Sequence, residues 1–574
     1  MLRKKQLQEL ADIVGEDFFS SEEYMRKLYS HDIAALPGLV KDILNTEADA
    51  VAQPTSTQVV SNLLKYCGEQ GIPVVPRGHG TSGYGGALPT KGGLVVEMTR
   101  MNEILHIDRD LMTVEVGAGI IWGNLLERLE EQGLTLTAYP SSAPSSTVGG
   151  WVAAGGTGIG STKYGGIRNQ VVDLEVVLAD GTIIRTRKPP RMLGQTAKSD
   201  YSYYLGADDY HYTPDGERMD LDNLTPLFVD SNGALGIITK VVLKLIPLRE
   251  LKPLVASFRS RRTMLDALNE ILQATRPYYL HFITDSFHQM LEELEKAPPT
   301  SGQWVVLSAY EGTEQENEAE AEKFRHFVKR HNGIVEDDEI AQHEWDERFY
   351  PMRIKRLGPS LAPSEVFVPI KRLDEFFDRA EKHFKREKWA AEGAVSVNGE
   401  VAVLAWFLDD ERRKISFLMG WYRSLDFIDI GVNAGGRAYS IGMWNVAHSR
   451  SFFRKRYLGQ MAKLKRTTDP KGSLNPHKVF PGPLVMSIRF NLLILLAAAI
   501  AFPVFIWLAW LLVPTLMEAY VPWLIITDEI SLLLAGAVGL VVGEVLVEFV
   551  NVIPISTVLS IGRPFLRFFR RIFS

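Results

Sequence analysis

Cysteine is almost absent from this chain. Cys67 is the only cysteine among 574 residues, so no intramolecular disulfide can form. This excludes a secreted scaffold stapled by disulfides and favours a reducing compartment. Cys67 falls within a predicted helix, where we expect it to be a small buried apolar residue.

A surplus of positive charge is also missing. The 63 Lys and Arg are balanced by 69 Asp and Glu, which gives a net charge of −6 and a pI of about 6.1. This balance argues against a nucleic acid as partner.

Charged residues recur near the N-terminus and leave no apolar core there, so no signal peptide is expected. The length predicts two or three domains, because a single core does not grow to this size.

Glycine, in contrast, is concentrated after a predicted strand. Residues 74–86 read Val-Val-Pro-Arg-Gly-His-Gly-Thr-Ser-Gly-Tyr-Gly-Gly and follow a predicted helix over 57–69 and a strand over 72–75. Such glycines let consecutive backbone N–H groups turn towards one point, where an anion such as a diphosphate can bind. The spacing fits neither the GxGxxG nor the GxxxxGK[ST] pattern, so neither a Rossmann nor a P-loop site is predicted.

A second stretch, residues 140–166, is rich in small residues and poor in charge. A solvated linker would carry more polar residues and fewer of the Val, Trp and Ile found here. The composition indicates a backbone that is pressed against something large and flat.

Shared motifs connect these two stretches with later parts of the chain. They fall in one order: Pro-Arg-Gly-x-Gly-Thr-Ser at 76–82, Thr147-x-Gly149-Gly150, Tyr164-Gly165, Leu178-x-Asp180-Gly181 and Gly233-Ala234-Leu235-Gly236-Ile237. In these motifs the chain resembles the flavin-binding half of the vanillyl-alcohol-oxidase (PCMH-type) flavoproteins. A further match at 469–476 extends the resemblance to the branch of D-lactate dehydrogenases and glycolate oxidase FAD subunits.

The resemblance implies an α+β fold. A helical lead-in over 1–50 would precede a two-subdomain FAD-binding domain over 51–247. A cap domain over 248–480, an antiparallel sheet with helices, would lie above the flavin and return to the FAD domain near Asn475. The residue pattern adds strands over 304–309, 401–408 and 415–419, a charged helix over 313–330 and a surface insertion over 187–232.

The resemblance also implies a non-covalent FAD. In the family the first loop holds the FAD diphosphate, and the second lines the diphosphate and the isoalloxazine. The histidine that carries a covalent flavin in other members corresponds to Thr81, so His79 is expected to be a loop residue near the diphosphate. The implied FAD-binding residues are Pro76, Arg77, Gly78, His79, Gly80, Thr81, Ser82, Pro140, Ser141, Thr147, Gly149, Gly150, Ala153, Gly155, Gly156, Ser161, Tyr164, Gly165, Gly236, Ile237 and Asn475.

Oxidation of a 2-hydroxy acid by a flavin needs a cation for the carboxylate and an acceptor for the hydroxyl proton. By resemblance Arg353 supplies the cation, with a surface arginine as the alternative interpretation. His448 is the nearest candidate base, with Tyr439 behind it, and a packed or surface histidine is the alternative. The family's His-x-Gly-Asp-Gly-Asn and Glu-His-Gly strings do not occur here, so no metal site is expected.

The residues after 480 predict a membrane hairpin. The 28 residues from Phe490 to Met517 include no charged residue. This run is longer than the ~20 residues needed to cross a bilayer core. A second span over 530–550 is interrupted by Glu544 and Glu548, and a soluble core helix is the alternative for each span. Only acidic charges lie between the spans, and basic residues flank the pair on the outside: Lys463, Lys465, Arg466, Lys471, Lys478 and Arg489 before it, and Arg563, Arg567, Arg570 and Arg571 after it. The positive-inside rule therefore places both ends in the cytoplasm. We therefore expect two transmembrane helices within 487–562 and a basic cytoplasmic tail over 563–574.

Three functional classes follow. The first is a membrane-tethered dehydrogenase in the cytoplasmic membrane that oxidises a 2-hydroxy acid and passes electrons to a quinone or a carrier protein. The second is a flavin enzyme that acts on a lipid-linked sugar or on an isoprenoid or sterol. The third is a non-catalytic flavoprotein subunit, which an intact pair of FAD loops disfavours.

Overall fold

Three β-sheets organise the chain in the computed structural model. The structure describes residues 2–33, 36–37, 46–187, 210–212, 218–220 and 223–480, all within the compact unit Met1–Val485. The predicted hairpin over 487–562 and the tail over 563–574 lie outside these residues. None of the helices that are described is long and apolar enough to cross a membrane.

The first sheet carries the glycine-rich loop. Its strands run in the order β1-β2-β4-β3, with bounds Phe19–Ser20 (β1), Ala50–Ala52 (β2), Val74–Arg77 (β3) and Leu94–Glu97 (β4). β4 pairs in parallel with β2 and β3, whereas β1 is antiparallel to β2. The segment predicted as a helical lead-in therefore also contributes a strand to this sheet.

The second sheet is antiparallel and has the order β5-β6-β12-β8-β9, with β7 on β12. Its strands are Ile104–Asp108 (β5), Thr113–Gly117 (β6), Leu134–Leu136 (β7), Val171–Leu178 (β8), Ile183–Arg185 (β9) and Gly236–Pro247 (β12). β8 and β9 form an antiparallel hairpin that turns at Asp180 and Gly181, and Gly181 has the φ of +86° that this turn requires. Within the predicted insertion, β10 (Tyr210–Tyr212) and β11 (Arg218–Asp220) form a short hairpin.

The third sheet is antiparallel, with the order β16-β13-β15-β14-β18-β19-β17-β20. Its strands are Glu250–Phe258 (β13), Tyr279–Ile283 (β14), Trp304–Gly312 (β15), Ile334–Val335 (β16), Ser360–Pro369 (β17), Trp389–Val395 (β18), Glu400–Asp409 (β19) and Arg437–Ala438 (β20). A core that includes Phe282, Phe377 and Phe427 covers one face of this sheet. The strands predicted over 304–309 and 401–408 are confirmed.

Helices cover the sheets and connect their strands. The described α-helices are Lys4–Val14, Glu23–Leu28, Thr57–Gln70, Trp122–Glu130, Val148–Ala154, Ser161–Tyr164, Ile167–Gln170, Thr225–Phe228, Arg261–Ala274, Asp285–Glu293, Glu314–Arg330, Asp338–Asp346, Leu373–His383, Lys414–Asn433, Gly442–Asn445, Ser449–Phe452 and Lys455–Thr468. The predicted helix over 57–69 is confirmed, with Ser56 as its N-cap and Gly71 in the left-handed conformation at its end. The helix predicted over 313–330 is confirmed, with Thr313 and Glu316 forming a capping box.

One predicted strand is wrong. Residues 415–419 belong to the 20-residue helix Lys414–Asn433. A short apolar run is compatible with either a buried strand or a buried helix. The run continues at helical spacing through Trp421, Leu425 and Ile428, whose side chains are buried. Packing of this longer apolar face in the tertiary structure therefore favours a helix over a strand.

The chain returns from the third sheet to the first. The backbone of Val74 bonds to Ser473 and Asn475 at 2.9 and 2.7 Å. Two basic residues counted as membrane flanks are taken up here: Lys465 pairs with Asp469 at 2.6 Å, and the fully buried Lys478 donates to the Leu88 carbonyl at 2.7 Å. Burial lowers the pKa of Lys478 to about 7, so these two lysines belong to the globular unit.

Candidate functional site

A large cavity separates the two glycine-rich loops from the third sheet. Its volume is ≈ 1150 Å³, which is above the range of sites for ordinary small ligands and suits an extended one. One wall consists of the loop over 76–84 and the loop over 140–151, and the other consists of β17, β19 and the turn Pro351–Leu357. We call these the loop wall and the cap wall.

The first loop is held open from behind by an arginine. Arg77 is buried at the end of β3, and its guanidinium donates to the His31 carbonyl at 2.6 Å and the His79 carbonyl at 3.4 Å. Gly80 has a φ of +69°, and a Cβ placed on it would overlap that guanidinium. Glycine is therefore required here so that the backbone can turn across the cavity.

The two loops are packed against each other. A Cβ on Gly78 would overlap the hydroxyl of Thr147, and the His79 ring lies 2.6 Å, Nδ1 to carbonyl oxygen, from Ser145. Thr147 in turn caps the helix Val148–Ala154 by accepting from the Gly150 N–H at 3.3 Å. Both loops thus present backbone and small side chains to one space.

Most of the residues implied as FAD-binding line this cavity. They are Pro76, Arg77, Gly78, His79, Gly80, Thr81, Ser82, Pro140, Ser141, Thr147, Gly149, Gly150, Ala153, Gly236 and Ile237. Gly155, Gly156, Ser161, Tyr164, Gly165 and Asn475 lie outside its wall. Asn475 supports the wall from behind, since its amide donates to the carbonyls of Gly86 at 3.1 Å and Asn232 at 2.5 Å.

The remaining residues of that set have packing roles around the second loop. The Ser161 hydroxyl is buried and accepts from the Gly158 N–H at 2.9 Å. Tyr164 donates to Glu311 of β15 and therefore joins the loop to the third sheet. A Cβ on Gly155 would overlap the Asp230 carboxylate. These positions shape the second loop without facing the cavity.

The loop wall fits a dinucleotide. Ser146 of this wall and Asn232 beside it both line the cavity. The Ser146 hydroxyl and the Asn232 amide nitrogen are buried with no hydrogen-bond partner in the described part of the chain. Buried polar atoms are normally paired, so an unpaired donor set facing a cavity indicates a polar ligand. With the glycine backbone beside them, these atoms suit the ribose and phosphate groups of FAD.

The cap wall is made of side chains that alternate along strands. Pro363 and Glu365 of β17 face the cavity, and so do Leu404 and Trp406 of β19. Tyr439 follows β20 and also faces it, but its hydroxyl donates to the Thr157 carbonyl and accepts from the Thr157 N–H, each at 2.9 Å. Tyr439 thereby fixes the second loop to the cap wall.

Glu365 was missed by the sequence analysis. Its side chain is partly accessible through the cavity, and its Oε2 accepts from the Tyr84 phenol at 2.7 Å. Burial, with a smaller contribution from the negative charge of Glu392, raises the pKa of this carboxyl to about 8. The available signal was a single charged residue in the otherwise uncharged strand Ser360–Pro369.

Arg353, which the resemblance implied as the carboxylate-binding cation, lines the cavity. It lies on the 3₁₀ turn Pro351–Leu357, and its guanidinium pairs with Glu344 at 3.1 Å and Glu347 at 3.4 Å. Lys355 and Arg356 from the same turn also line the cavity. This side of the cap wall therefore carries three cations, of which Arg353 is already paired with two carboxylates.

His448 does not line the cavity. Its Nε2 lies 3.4 Å from the Asp429 carboxylate. A smaller chamber of ≈ 80 Å³ adjoins the main cavity and holds a different histidine, His281, whose Nε2 lies 3.2 Å from Glu392. No group of three or more metal-ligating side chains is found among the described residues.

Two glycine-rich loops facing an antiparallel sheet across one cavity suggest a flavoprotein, and comparison with known protein families identifies which kind. Residues 48–187 match the family described as FAD binding domain, and residues 249–479 match the FAD linked oxidases, C-terminal domain. The chain therefore belongs to the FAD-linked oxidases that combine these two domains. FAD is accordingly its cofactor.

Similar proteins narrow the comparison further. The chain is 28% identical over 499 residues to the glycolate oxidase subunit GlcD of Bacillus subtilis, covering 84% of this chain and 97% of that one. It is 26% identical to a D-lactate dehydrogenase of Archaeoglobus fulgidus, covering 75% and 90%. Among solved structures, the fold is similar to 4-ethylphenol oxidase from Gulosibacter chungangensis (TM-score 0.67, 18% identity, coverage 84% and 99%). It is also similar to p-cresol methylhydroxylase (TM-score 0.65, 18% identity, coverage 83% and 96%).

Proposed function

We propose that this protein is a membrane-tethered dehydrogenase that oxidises a 2-hydroxy acid and passes the electrons to a quinone or a carrier protein. The observation that carries the proposal is a large cavity in which a loop wall that fits a dinucleotide lies opposite a cap wall that holds Arg353 and Glu365. The similarity to a glycolate oxidase subunit and a D-lactate dehydrogenase supports a 2-hydroxy acid as substrate.

FAD would lie along the loop wall without a covalent link. The backbone of Gly78 to Ser82 and the free polar atoms of Ser146 and Asn232 would hold it. When bound, FAD supplies the oxidant for the alcohol carbon. Thr81 lines the cavity at the position of the family's linking histidine and offers no imidazole for such a bond.

The cap wall would bind and orient the substrate. Arg353 already balances two carboxylates, and Lys355 and Arg356 add positive charge at the same edge of the cavity. A substrate carboxylate can therefore bind without exceeding the local positive charge. The apolar side chains of Leu404 and Trp406 exclude water beside it, which strengthens these ionic contacts.

The predicted hairpin after residue 480 supports the membrane part of the proposal. The 28 uncharged residues from Phe490 to Met517 are long enough to span a bilayer. The same hairpin would suit the alternative, a lipid-linked sugar or an isoprenoid or sterol substrate, because it would tether the enzyme to the membrane in which such substrates are found. The two substrate classes share the flavin site and differ in what reduces it.

An anaerobic reduction screen tests the proposal. Detergent-solubilised full-length protein is mixed with D-lactate, glycolate or lipid extract, and the visible flavin absorption is followed. Bleaching by a 2-hydroxy acid supports the proposal, whereas bleaching by lipid extract alone favours the alternative. If no substrate bleaches the flavin, the proposal fails and the result favours a non-catalytic flavoprotein subunit.

A further inference from the structure

One carboxyl group stands apart among the described residues of the cavity. Glu365 lies in the middle of β17, and it lines both the large cavity and the small chamber, as Arg353 does. Its Oε2 is held by the Tyr84 phenol at 2.7 Å. Its Oε1 has no hydrogen-bond partner in the described part of the chain and is free to accept one from a ligand.

We propose that Glu365 is the catalytic base that accepts the substrate's hydroxyl proton, and that Tyr84 positions its carboxylate. The inference rests on the proposed function. The O–H bond of the 2-hydroxy acid breaks and its proton goes to Glu365. The C2–H bond also breaks, and its hydrogen and electron pair leave together as a hydride, for which FAD would be the oxidant. The C2–O bond becomes a carbonyl, so the product is a 2-oxo acid.

The other carboxyl and imidazole groups in the described wall of the large cavity, and the Tyr439 phenol, are occupied or misplaced. Glu347 pairs with Arg353, and Glu411 is exposed to solvent. His79 belongs to the first loop and is engaged with Ser145. The Tyr439 hydroxyl is saturated by Thr157.

His281 is the remaining alternative, and its place is less favourable. It lines only the small chamber, where its Nε2 contacts the Glu392 carboxylate and its ring stacks on Tyr279 at 5.6 Å between centroids. Glu392 also accepts from the Trp406 indole at 3.2 Å. Glu365 has both access to the large cavity and a free oxygen.

Tyr84 connects the base to the loop wall. It belongs to the glycine-rich loop that faces the flavin, and its backbone neighbour Gly85 is fixed by the Asp32 carboxylate at 2.7 Å. The phenol therefore locks a cap-wall carboxylate to the loop wall. A base held to the same loop as the cofactor keeps a constant distance from the reacting carbon.

The surroundings of Glu365 predict the pH at which it works. Tyr84 from the first loop and Tyr439 from the segment after β20 are neutral neighbours, Glu392 from β18 is a negative one, and Arg353 is a cation of the same wall. With a pKa of about 8, roughly one tenth of the carboxyl is ionised at pH 7. We expect kcat/KM for D-lactate or glycolate to rise about tenfold from pH 7 to a plateau above about pH 9.

Glu365→Gln tests the base while keeping an oxygen that can accept from Tyr84. We expect flavin reduction at saturating D-lactate or glycolate to slow by roughly 10²–10⁴-fold, as for loss of a general base, with little change in KM. Formate should restore part of the rate to Glu365→Ala. The matched control is Glu400→Gln, on the neighbouring strand and outside both cavities, which should keep the wild-type rate and pH profile.

Tyr84→Phe tests the positioning role. The phenol donates to the carboxylate and so lowers its pKa, and its loss should move the midpoint of the pH profile upwards while activity persists. A readout without turnover is the absorption of bound flavin, which should titrate near pH 8 in the wild type, higher in Tyr84→Phe, and not at all in Glu365→Gln.

The outcomes separate the inference from the proposed function. If the wild type is reduced by a 2-hydroxy acid but folded, flavin-loaded Glu365→Gln is slowed less than threefold, the base assignment is wrong and the function stands. If Glu365→Gln loses flavin or stability while formate leaves Glu365→Ala inactive, Glu365 is only structural. If no 2-hydroxy acid reduces the wild type, both proposals fail.

Discussion

The two walls of the cavity use different parts of the polypeptide. The loop wall presents backbone and small side chains, with Gly78 and Gly80 at its centre, whereas the cap wall presents long charged and aromatic side chains from strands. Backbone binding recognises groups that every FAD shares, and side chains recognise what is particular to a substrate. Cofactor binding and substrate chemistry can therefore be disrupted separately.

The largest expected effect is loss of the cofactor from a change in the loop wall. Gly80→Leu should abolish FAD binding. Its Cβ would overlap the buried Arg77 guanidinium, so the backbone of the first loop could no longer turn across the cavity. The check is the ratio of flavin to protein after purification. Gly435→Leu is the matched control, since Gly435 also has a positive φ, +86°, but no atom within 4 Å of an added Cβ. A yellow Gly80→Leu protein would contradict the assignment of the loop wall.

A change in the cap wall should leave FAD bound and impair the substrate. Arg353→Lys keeps the charge but loses the planar fork that pairs with carboxylates. We expect KM for D-lactate or glycolate to rise roughly 10–100-fold, in line with one or two lost charge-assisted hydrogen bonds. Arg372→Lys, a surface residue paired with Glu375 at 2.8 Å, should leave KM unchanged. An unaltered KM in Arg353→Lys would exclude Arg353 as the carboxylate site.

The pH dependence of stability should also differ between wild type and a cap-wall variant. The folded pKa of Glu365, about 8, lies above the ordinary value of 4.5, so its contribution to stability is present below pH 4.5 and is lost as pH rises through 8. This term changes the free energy of unfolding by at most about 1.4 kcal/mol per pH unit. Thermal unfolding between pH 5 and 9 should show a flatter profile for Glu365→Gln. Parallel profiles would mean that the carboxyl is not perturbed.

The smallest effect on either wall is expected from removing the C-terminal residues. All described elements of both walls end by residue 480, so a chain that ends at Gly482 should stay yellow and reduce an artificial dye at the wild-type rate. It should be soluble without detergent and no longer reduce membrane quinone, because the uncharged run has been removed. A truncated protein that still sediments with membranes would argue against the hairpin.

The local sequence was sufficient to predict the loop wall, where the conformation of the backbone forms the binding surface. Glycines that follow a strand in a fixed order predict a loop that binds a phosphate-rich group, and Gly78, Gly80 and Gly149 do line the cavity. Through the resemblance, the same order of motifs predicted a FAD-linked oxidoreductase, which the family matches confirm. The amphipathic helix Thr57–Gln70 was equally predictable, because its caps and periodicity are local.

The sequence had pointed to Arg353 and Tyr439, but the carboxyl group of the cap wall was accessible only through the tertiary structure. Tyr84 and Glu365 are 281 positions apart, and no local pattern relates a loop tyrosine to a strand carboxyl. Periodicity also misassigned the run at 415–419, since packing over β17 and β19 decides between helix and strand. Charge in the sequence likewise does not report burial: Lys478 looks like a membrane flank, yet it lies in the core on the Leu88 carbonyl. The sequence alone determined the loop wall, because backbone turns depend on residues that are neighbours in the chain. The tertiary structure decided the chemistry of the cap wall, because the pKa and the pairing of a side chain depend on residues that are distant in the chain.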